Sequence, residues 1–310
     1  MLYLNGIDYY IPEIKYSVKD LRHRYAMSDM ELTVFNRVYG LDKVPVSDIP
    51  LRDMIYRSVK SLLEKTEIDL SEVKYLIHTH TAQEYEGFFN KTLKRLAAEL
   101  GLHEAKCFGM TTNNCASTVS ALDVIEKMLV SKTDNSSAIL ITGDVAFTPV
   151  LQVIPNSSIT GDASVACLLS NHSRNGARML SNSVSIYGEH AKCQWQEKEE
   201  MQRFEDFYPN RLSGVMQDAL ESSGLNWSNI SVIVPHNVNV YSWKKTSSVS
   251  QVPYEKIYLD QVSNIAHCFG ADPFLNLAIA MEDEKIEKGD QVMMATVGLG
   301  AVFGAAVFAF

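Results

Sequence analysis

The two halves of the sequence repeat one pattern of strands and helices, and this repeat limits the possible folds more than any other feature. Residues 68–78 contain the end of a helical stretch, then a turn with a serine and then an apolar run. Residues 225–235 show the same order. A second pair of apolar runs, at 138–143 and 291–296, follows at nearly the same spacing. A repeated strand–helix–strand unit predicts two related α/β halves.

The segments between these runs complete the repeated unit. Helical patterns occupy 119–129 in the first half and 274–284 in the second. The runs at 138–142 and 292–297 lack polar alternation. Continuous apolar runs are typical of strands that are covered on both faces. The sequence therefore predicts sheets that lie between layers of helices.

A polar stretch at 171–178 separates the two halves. Turn-forming residues between apolar runs are typical of a boundary. We therefore predict an N-terminal half over residues 1–172 and a C-terminal half over residues 173–310. The charged stretch 189–206, which contains Trp195, is expected at the surface as a cover over a pocket.

Composition excludes several classes of function. The chain has 310 residues, is 46% hydrophobic and carries a net charge of −9, which argues against nucleic acid or an anionic membrane as the main partner. Its five cysteines show no CxxC spacing and no disulfide framework, so neither a metal site nor a secreted scaffold is expected. No apolar run reaches membrane-spanning length, and residues 1–6 lack the features of a signal peptide. We predict a cytoplasmic protein without a cofactor.

Cys115 is the candidate nucleophile. It follows the small polar residues 111–114 and opens a helical run at 115–123. A thiol at a helix N-terminus lies in the positive potential of unpaired backbone N–H groups, which favours the attacking thiolate. The alternative is a small buried thiol that packs the start of a helix.

Two histidines in the second half are candidate catalytic partners. His236 follows the apolar run 230–234, and ligands in α/β sheets bind at strand ends. His267 lies just before the second-half helix, which is the repeat partner of the helix that Cys115 opens. An approximate twofold axis would bring these two helix starts together.

Each histidine also has a structural interpretation. His236 could bond a turn carbonyl. His267 could belong to a turn in which Gly270 takes a positive φ, with Asp272 as the N-cap and Pro273 as the first residue of the following helix.

Two further patterns are weaker. The stretch 298–304 follows a strand, and its glycines would let backbone N–H groups point at an oxyanion. It is not a dinucleotide fingerprint, because no helix with a ribose-binding acid follows it. His78 and His80 alternate at a strand end as a metal pair would, but no third ligand follows at a suitable spacing, so a packed or solvated strand end is favoured.

Five motifs, in this order, resemble the ketoacyl synthase III group of the thiolase superfamily. They are the cysteine helix at 114–117, the strand at 139–144, the segments 160–166 and 234–239, and the C-terminal stretch 288–310. The resemblance spans essentially the whole chain. It implies a thiolase fold, with five αβαβα layers built from two pseudo-twofold related halves, and a homodimer.

The resemblance also implies a reaction. Cys115 would attack a thioester carried by an acyl carrier protein or coenzyme A, and the backbone N–H groups of Cys115 and Leu299 would hold the oxyanion. His236 matches the family histidine. The residues expected to contact substrate are Asn239, Trp243 and Phe303.

The sequence departs from the family pattern at the second catalytic position. Where the family has an asparagine that helps to stabilise an enolate, residues 266–272 place His267. A neutral imidazole can replace the amide as a donor, which allows decarboxylative condensation with a malonyl thioester. It can also act as a base, which suits transfer to an alcohol or amine.

The donor entrance departs from the pattern as well. The tryptophan and arginine that hold the coenzyme A adenine have no counterpart near residues 32–37, and an arginine expected after Asn239 is replaced by the stretch 241–245. A carrier-protein arm is a reasonable substitute. Lys244 and Lys245 would offer such an acidic carrier a local basic patch.

The sequence therefore predicts a ketoacyl synthase III-type acyltransferase of fatty acid, polyketide or other specialised metabolism. A non-catalytic partner subunit of a heterodimeric synthase is one alternative, although retention of Cys115, His236 and His267 argues against it. A Cys–His thioesterase is another, and a dry pocket would disfavour it. The acyl pocket is expected around residues 81–89 and 147–159.

Overall fold

A computed structural model describes residues 1–25, 27–81, 91–192 and 197–310. Of the expected pocket and cover, residues 82–89 and Trp195 lie outside the described residues.

The described strands are short to medium in length and are distributed over the whole chain. They are β1 (Tyr3–Tyr10), β2 (Lys15–Ser17), β3 (Lys43–Pro45), β4 (Val73–Thr79), β5 (Lys106–Met110), β6 (Ser137–Asp144), β7 (Val153–Ile154), β8 (Ser158–Ile159), β9 (Ala163–Ser170), β10 (Ala177–Ile186), β11 (Val232–Pro235), β12 (Gln291–Gly298) and β13 (Val302–Ala309).

The described α-helices alternate with these strands. They are α1 (Val18–Arg24), α2 (Asp29–Thr33), α3 (Leu51–Thr66), α4 (Thr92–Glu99), α5 (Ser117–Val130), α6 (Pro149–Gln152), α7 (Lys198–Ser223), α8 (Val240–Val249), α9 (Val262–Ile265) and α10 (Asp272–Glu282). A π-helical turn spans Val34–Val38, and 3-10 turns span Leu70–Glu72, Asn114–Ala116, Gly188–His190, Tyr254–Lys256 and Phe269–Ala271.

One mixed sheet contains nine of the strands, in the order β11-β12-β13-β10-β1-β9-β6-β4-β5. The pairs β4–β5, β4–β6 and β11–β12 are parallel, and the remaining neighbours are antiparallel. The sheet confirms the predicted α/β class.

The strand order repeats on either side of the β1–β10 pair. One side runs β1-β9-β6-β4-β5, and the other runs β10-β13-β12-β11, with a parallel bridge between Ile233 and Ile257 at the place that β5 occupies in the first half. The two sides meet through two antiparallel residue pairs, Tyr3 with Arg178 and Leu4 with Ala177. The boundary at residues 172/173 stays a prediction.

Alternating side chains of the central strands face different helices. In β6, Ala138 and Leu140 belong to a central apolar cluster, whereas Ile139 and Ile141 pack toward α3. In β12, Val292 and Met294 join the same central cluster, and the intervening residues pack toward α7. Helices α5 and α10 pack in this central cluster. The layers therefore follow one another in this order: α3, the strands of the first half, α5 together with α10, the strands of the second half, and α7.

The central helices bring the two candidate helix starts together. A 3-10 turn precedes each of them, Asn114–Ala116 before α5 and Phe269–Ala271 before α10. The helix starts lie at the buried centre of the molecule, where the sequence places the cysteine and one histidine. In the described part of the chain, no helix is long and apolar enough to cross a membrane.

Candidate active site

Cys115 lies in the 3-10 turn that leads into α5, and only 3% of its surface is exposed. The α-helix itself begins at Ser117 rather than at the cysteine. The hydroxyl of Thr81, just beyond β4, donates a hydrogen bond to the Cys115 sulfur across 3.3 Å. The thiol is thus enclosed and has one polar neighbour in the hydroxyl of Thr81.

His267 is in direct contact with this thiol. Its Nε2 atom lies 3.7 Å from the Cys115 sulfur. Its backbone N–H donates to the Ile159 carbonyl, and its own carbonyl accepts from the Gly161 N–H, at 3.2 and 2.9 Å. These backbone bonds fix the histidine between the second-half loop and the chain around β8.

Asp272 is the third side chain in a series of contacts that begins at Cys115 and continues through His267. Its Oδ2 atom lies 2.5 Å from Nδ1 of His267. The same carboxylate accepts the backbone N–H of Asn237 and of Cys268, each at 2.6 Å, and it is 0% exposed. A buried carboxylate with three donors is fully satisfied and orients the ring.

The sequence interpretation of Asp272 was wrong in its detail. The N-cap of α10 is Ala271, and Asp272 is the first helical residue. Its carboxylate does not cap the helix. The Asp–Pro pattern alone is enough to predict a helix start. It therefore gives no indication of the bond to His267, which depends on the three-dimensional structure.

The carboxylate determines the charge of His267. Burial lowers the pKa of this ring, but the charge of Asp272 and its hydrogen bond outweigh the burial and raise the pKa above its ordinary value. Near neutral pH the ring is therefore an imidazolium that points a proton at the Cys115 sulfur. A cysteine and a histidine in contact have the arrangement of an activated nucleophile and its base.

The backbone around the pair is strained. Asn114, Ala266 and Phe269 have φ values of 49°, 52° and 53°. Non-glycine residues rarely adopt this region, and it costs on the order of 1–3 kcal/mol per residue. The positive φ expected at Gly270 falls instead on its neighbours.

Gly270 permits close packing rather than an unusual turn. A Cβ atom there would lie 2.8 Å from Thr118 Oγ1 and 3.0 Å from the Cys115 carbonyl oxygen. The absence of a side chain thus lets the loop of His267 approach the turn of Cys115.

His236 lies beside Cys115, His267 and Asp272, but its ring forms a hydrogen bond with a different residue. Its ring centroid is 6.3 Å from that of His267, and its Nε2 atom is 2.8 Å from the hydroxyl of Tyr208 on α7. Burial, together with the charge on His267, lowers the pKa of His236 to about 3, so the ring is neutral. The structure therefore brings Cys115 and His267 into contact and places His236 next to them, with Tyr208 as its partner.

The predicted oxyanion segment packs against the cysteine turn. The Asn114 amide donates to the Leu299 carbonyl across 2.7 Å, and a Cβ at Gly298 would overlap the Asn113 carbonyl oxygen. Close approach by Gly298 thus places Leu299 beside the turn of Cys115. The oxyanion role of the Leu299 and Cys115 N–H groups stays a prediction.

The three residues expected to contact substrate support the site in other ways. Trp243 is fully buried and donates from Nε1 to the His236 carbonyl at 2.9 Å. Phe303 packs edge-on to Tyr208, with ring centroids 5.8 Å apart. Asn239 caps α8 by accepting the Ser242 N–H and donates to the Ser157 carbonyl. Their contact with substrate stays a prediction.

A cavity of about 480 Å³ adjoins these residues. Tyr208, Leu299 and Gly300 form part of its wall, so it reaches the edge of the cysteine site. Residues 154–157 line it, as do His190, Met201, Phe204 and Glu205 from the stretch expected to cover a pocket. The cavity thus adjoins the site at Tyr208 and Leu299, and Cys115, His236 and His267 are not among the described residues that line it.

The basic patch expected at Lys244 and Lys245 is partly neutralised. The Lys245 ammonium donates to the Glu205 carbonyl at 3.0 Å and lies 4.0 Å from the Asp206 carboxylate. Both Lys245 and Glu205 line the cavity. The wall of the cavity thus carries charges of both signs.

The weaker metal pattern has a structural explanation. His78 is buried, its Nε2 bonds the Gly143 carbonyl at 3.0 Å, and its ring stacks on His80 at 4.7 Å. Over the described ranges of the chain, no group of three or more His, Cys, Asp or Glu side chains is arranged to hold a metal ion.

Comparisons with known proteins agree with this architecture. The family model for the C terminal of 3-oxoacyl-[acyl-carrier-protein] synthase III matches residues 220–310. The beta-ketoacyl-[acyl-carrier-protein] synthase III of Coxiella burnetii (strain RSA 493) is 23% identical, and the match covers 98% of each chain.

Two solved structures have the same fold. ChlB3, described as an acyltransferase, superposes with a TM-score of 0.87 at 16% identity, over 99% of this chain and 97% of that one. The 3-oxoacyl-[acyl-carrier-protein] synthase III of Aquifex aeolicus superposes with a TM-score of 0.82 at 17% identity, over the full length of both. The predicted thiolase fold is thereby confirmed, and residues 220–310 also resemble the C-terminal part of the ketoacyl synthase III proteins in sequence.

Proposed function

We propose that this protein is an acyltransferase that loads an acyl group from a thioester onto Cys115 and passes it to an alcohol or an amine. The bond between His267 and Asp272 is the observation that carries the proposal. It gives the imidazole beside the sulfur the orientation and the charge of a general acid and base. The names of the relatives, as synthases and as an acyltransferase, support acyl transfer in general.

In the first step, the Cys115 thiolate attacks the thioester carbonyl and forms a carbon–sulfur bond. The N–H groups of Cys115 and Leu299 would hold the resulting oxyanion. When the tetrahedral intermediate collapses, the bond to the donor sulfur breaks. The departing thiolate takes the proton from Nε2 of His267, which leaves the imidazole neutral.

In the second step, the neutral Nε2 of His267 accepts the proton of an acceptor hydroxyl or amine as that group attacks the acyl-cysteine. Collapse of the second intermediate forms the ester or amide and expels the Cys115 thiolate. The imidazolium–thiolate pair is thereby restored. Asp272 stabilises the charged ring in both halves of the cycle.

Decarboxylative condensation is the second candidate, because the curated relatives are named beta-ketoacyl synthases. It needs two N–H donors that stabilise an enolate on a malonyl thioester. In this chain the Nδ1 of His267 bonds Asp272, and the Nε2 of His236 bonds Tyr208. The bond to Tyr208 engages the Nε2 of His236 and leaves the Nε2–H of His267 as the one donor of this pair, so transfer to oxygen or nitrogen is favoured.

The two remaining alternatives fit the site less well. A non-catalytic partner subunit does not need a nucleophile, a base and a buried carboxylate in contact. A thioesterase needs ready access of water to the acyl-enzyme, whereas Tyr39, Phe204 and Tyr241 give the cavity an aromatic wall.

Three further features belong to the proposal. The donor is an acyl thioester of a carrier protein or of coenzyme A, the acceptor comes from specialised metabolism, and the working form is a homodimer. Free thiols persist in a reducing compartment, which supports a cytoplasmic location.

A two-substrate experiment tests the second step. Cys115 is acylated with a radiolabelled acetyl thioester, and the isolated acyl-enzyme is given either a malonyl thioester with a labelled free carboxyl group or a panel of alcohols and amines. We expect labelled ester or amide and no release of carbon dioxide. Release of labelled carbon dioxide together with a 3-oxoacyl product would contradict the proposal. Cys115→Ala is the control for both arms.

A further inference from the structure

Tyr208 connects the cavity to the histidine that does not contact the thiol. Its hydroxyl lies 2.8 Å from Nε2 of His236, and its side chain forms part of the cavity wall.

A proline inside α7 lies next to this tyrosine. Pro209 follows it inside the helix and lacks the N–H that would bond the Glu205 carbonyl. The Lys245 ammonium supplies the missing donor at 3.0 Å. The ring is also packed edge-on by Phe204 and Phe303, each with centroids 5.8 Å away. The tyrosine is therefore held in one place by the backbone and by its neighbours.

His236 is held equally firmly. Its N–H donates to the Ala295 carbonyl, and its carbonyl accepts from Trp243, each at 2.9 Å. Its Nδ1 is buried and has no hydrogen-bond partner within the described residues. The ring thus has one engaged and one unengaged nitrogen.

The unengaged nitrogen indicates the direction of the bond to Tyr208. If the phenol donated to Nε2, the neutral ring would carry its proton on Nδ1 as a buried N–H without an acceptor, which proteins rarely tolerate. If Nε2–H donates to the phenol oxygen, Nδ1 keeps only an unused lone pair. The second arrangement leaves the O–H of Tyr208 free to point into the cavity.

The phenol remains a donor under all ordinary conditions, because burial raises the pKa of Tyr208 further above its usual range. The tyrosine forms part of the cavity wall, and the ring of its partner His236 lies 6.3 Å from that of His267. A small molecule in the cavity can therefore contact the Tyr208 hydroxyl.

We propose that Tyr208 is a specificity-determining residue that donates a hydrogen bond to a second oxygen of the acyl acceptor. The favoured acceptors are neutral ring compounds that carry an oxygen on the carbon next to the hydroxyl or amine that is acylated. Aromatic side chains suit a ring, and the phenol selects the oxygen. This inference rests on the proposed function.

The test compares two alcohols of the same shape. Isolated acetyl-enzyme is discharged by trans-2-methoxycyclohexanol or by trans-2-ethylcyclohexanol, which differ in one oxygen. We expect wild type to prefer the methoxy alcohol by about five- to tenfold in kcat/KM, the usual worth of one neutral hydrogen bond. Tyr208→Phe should lose this preference through a higher KM for the methoxy alcohol relative to the ethyl alcohol.

Tyr241→Phe is the matched control, since Tyr241 also lines the cavity but is 49% exposed. It should keep the preference. A wild type without preference, or a Tyr208→Phe variant that retains it, would overturn the inference and leave the proposed function intact. An acetyl-enzyme that neither alcohol discharges would instead contradict the proposed function, and this inference with it.

Discussion

The Nδ1 atom of His267 lies 2.5 Å from a carboxylate oxygen of Asp272, and both side chains are buried. The same ring contacts the Cys115 sulfur through its other nitrogen. A thiol, an imidazole and a carboxylate in this order form the arrangement that activates a nucleophile and then a second substrate. His267, which the sequence places where the resemblance leads us to expect an amide donor, lies between the thiol and the carboxylate.

Asp272→Asn should slow acylation of Cys115 by about 100- to 10,000-fold, because the amide keeps the shape but cannot stabilise the imidazolium. Single-turnover mass spectrometry with an acyl thioester measures the rate. Asp218→Asn, at an exposed position of α7, should leave it unchanged. A melting temperature near that of wild type separates this effect from unfolding, and unaltered acylation would exclude Asp272 from the mechanism.

Thr81→Val should lower the reactivity of Cys115 about fivefold, since it removes the hydroxyl that donates to the sulfur. Alkylation by iodoacetamide at pH 7 is the measurement. Thr81→Ser retains the hydroxyl and should behave as wild type. Unchanged alkylation of Thr81→Val, or an equal loss in Thr81→Ser, would contradict a specific role for this hydrogen bond.

His236 should make the fold sensitive to acid. Burial, together with the charge on His267, lowers its pKa from 6.5 to about 3. Below pH 6.5 the unfolded chain therefore binds a proton that the folded chain does not, so stability falls as pH falls through this window. His236→Gln removes the effect.

Between pH 6.5 and about 4.5, wild type should lose roughly 2 kcal/mol more stability than His236→Gln. Urea unfolding at the two pH values measures the difference. Parallel losses in the two proteins would show that His236 is accessible to protons in the folded state.

Gly298→Ala should disturb the segment that holds Leu299, because the added Cβ overlaps the Asn113 carbonyl oxygen. We expect at least a tenfold loss of acylation rate and a lower melting temperature. Gly214→Ala is the control. Its Cβ meets nothing within 4 Å in α7, so it should stabilise the protein by about 0.5–1 kcal/mol and leave acylation unchanged.

The α/β class and the meeting of Cys115 with His267 were predictable because they follow from periodicity and from the repeat. Apolar runs identify β6 and β12, and related halves imply that α5 and α10 start near each other. These arguments need only local patterns and approximate symmetry.

Asp272 and Tyr208 could not be found in this way. The start of a helix is a sufficient reason for Asp272 followed by Pro273, so the local sequence does not indicate that Asp272 bonds a histidine. Tyr208 lies in a charged helix, 28 residues before His236, and meets it only because α7 packs across the second half of the sheet. Contacts between distant segments depend on packing that no local pattern records.

The identity of the acylated atom tests the account most directly. The protein is incubated with an acyl thioester, quenched, and digested for peptide mass spectrometry, beside Cys115→Ala. We predict one acyl group on the peptide that contains Cys115, and none on the variant. Acyl mass on another residue, or on the Cys115→Ala protein, would contradict the account.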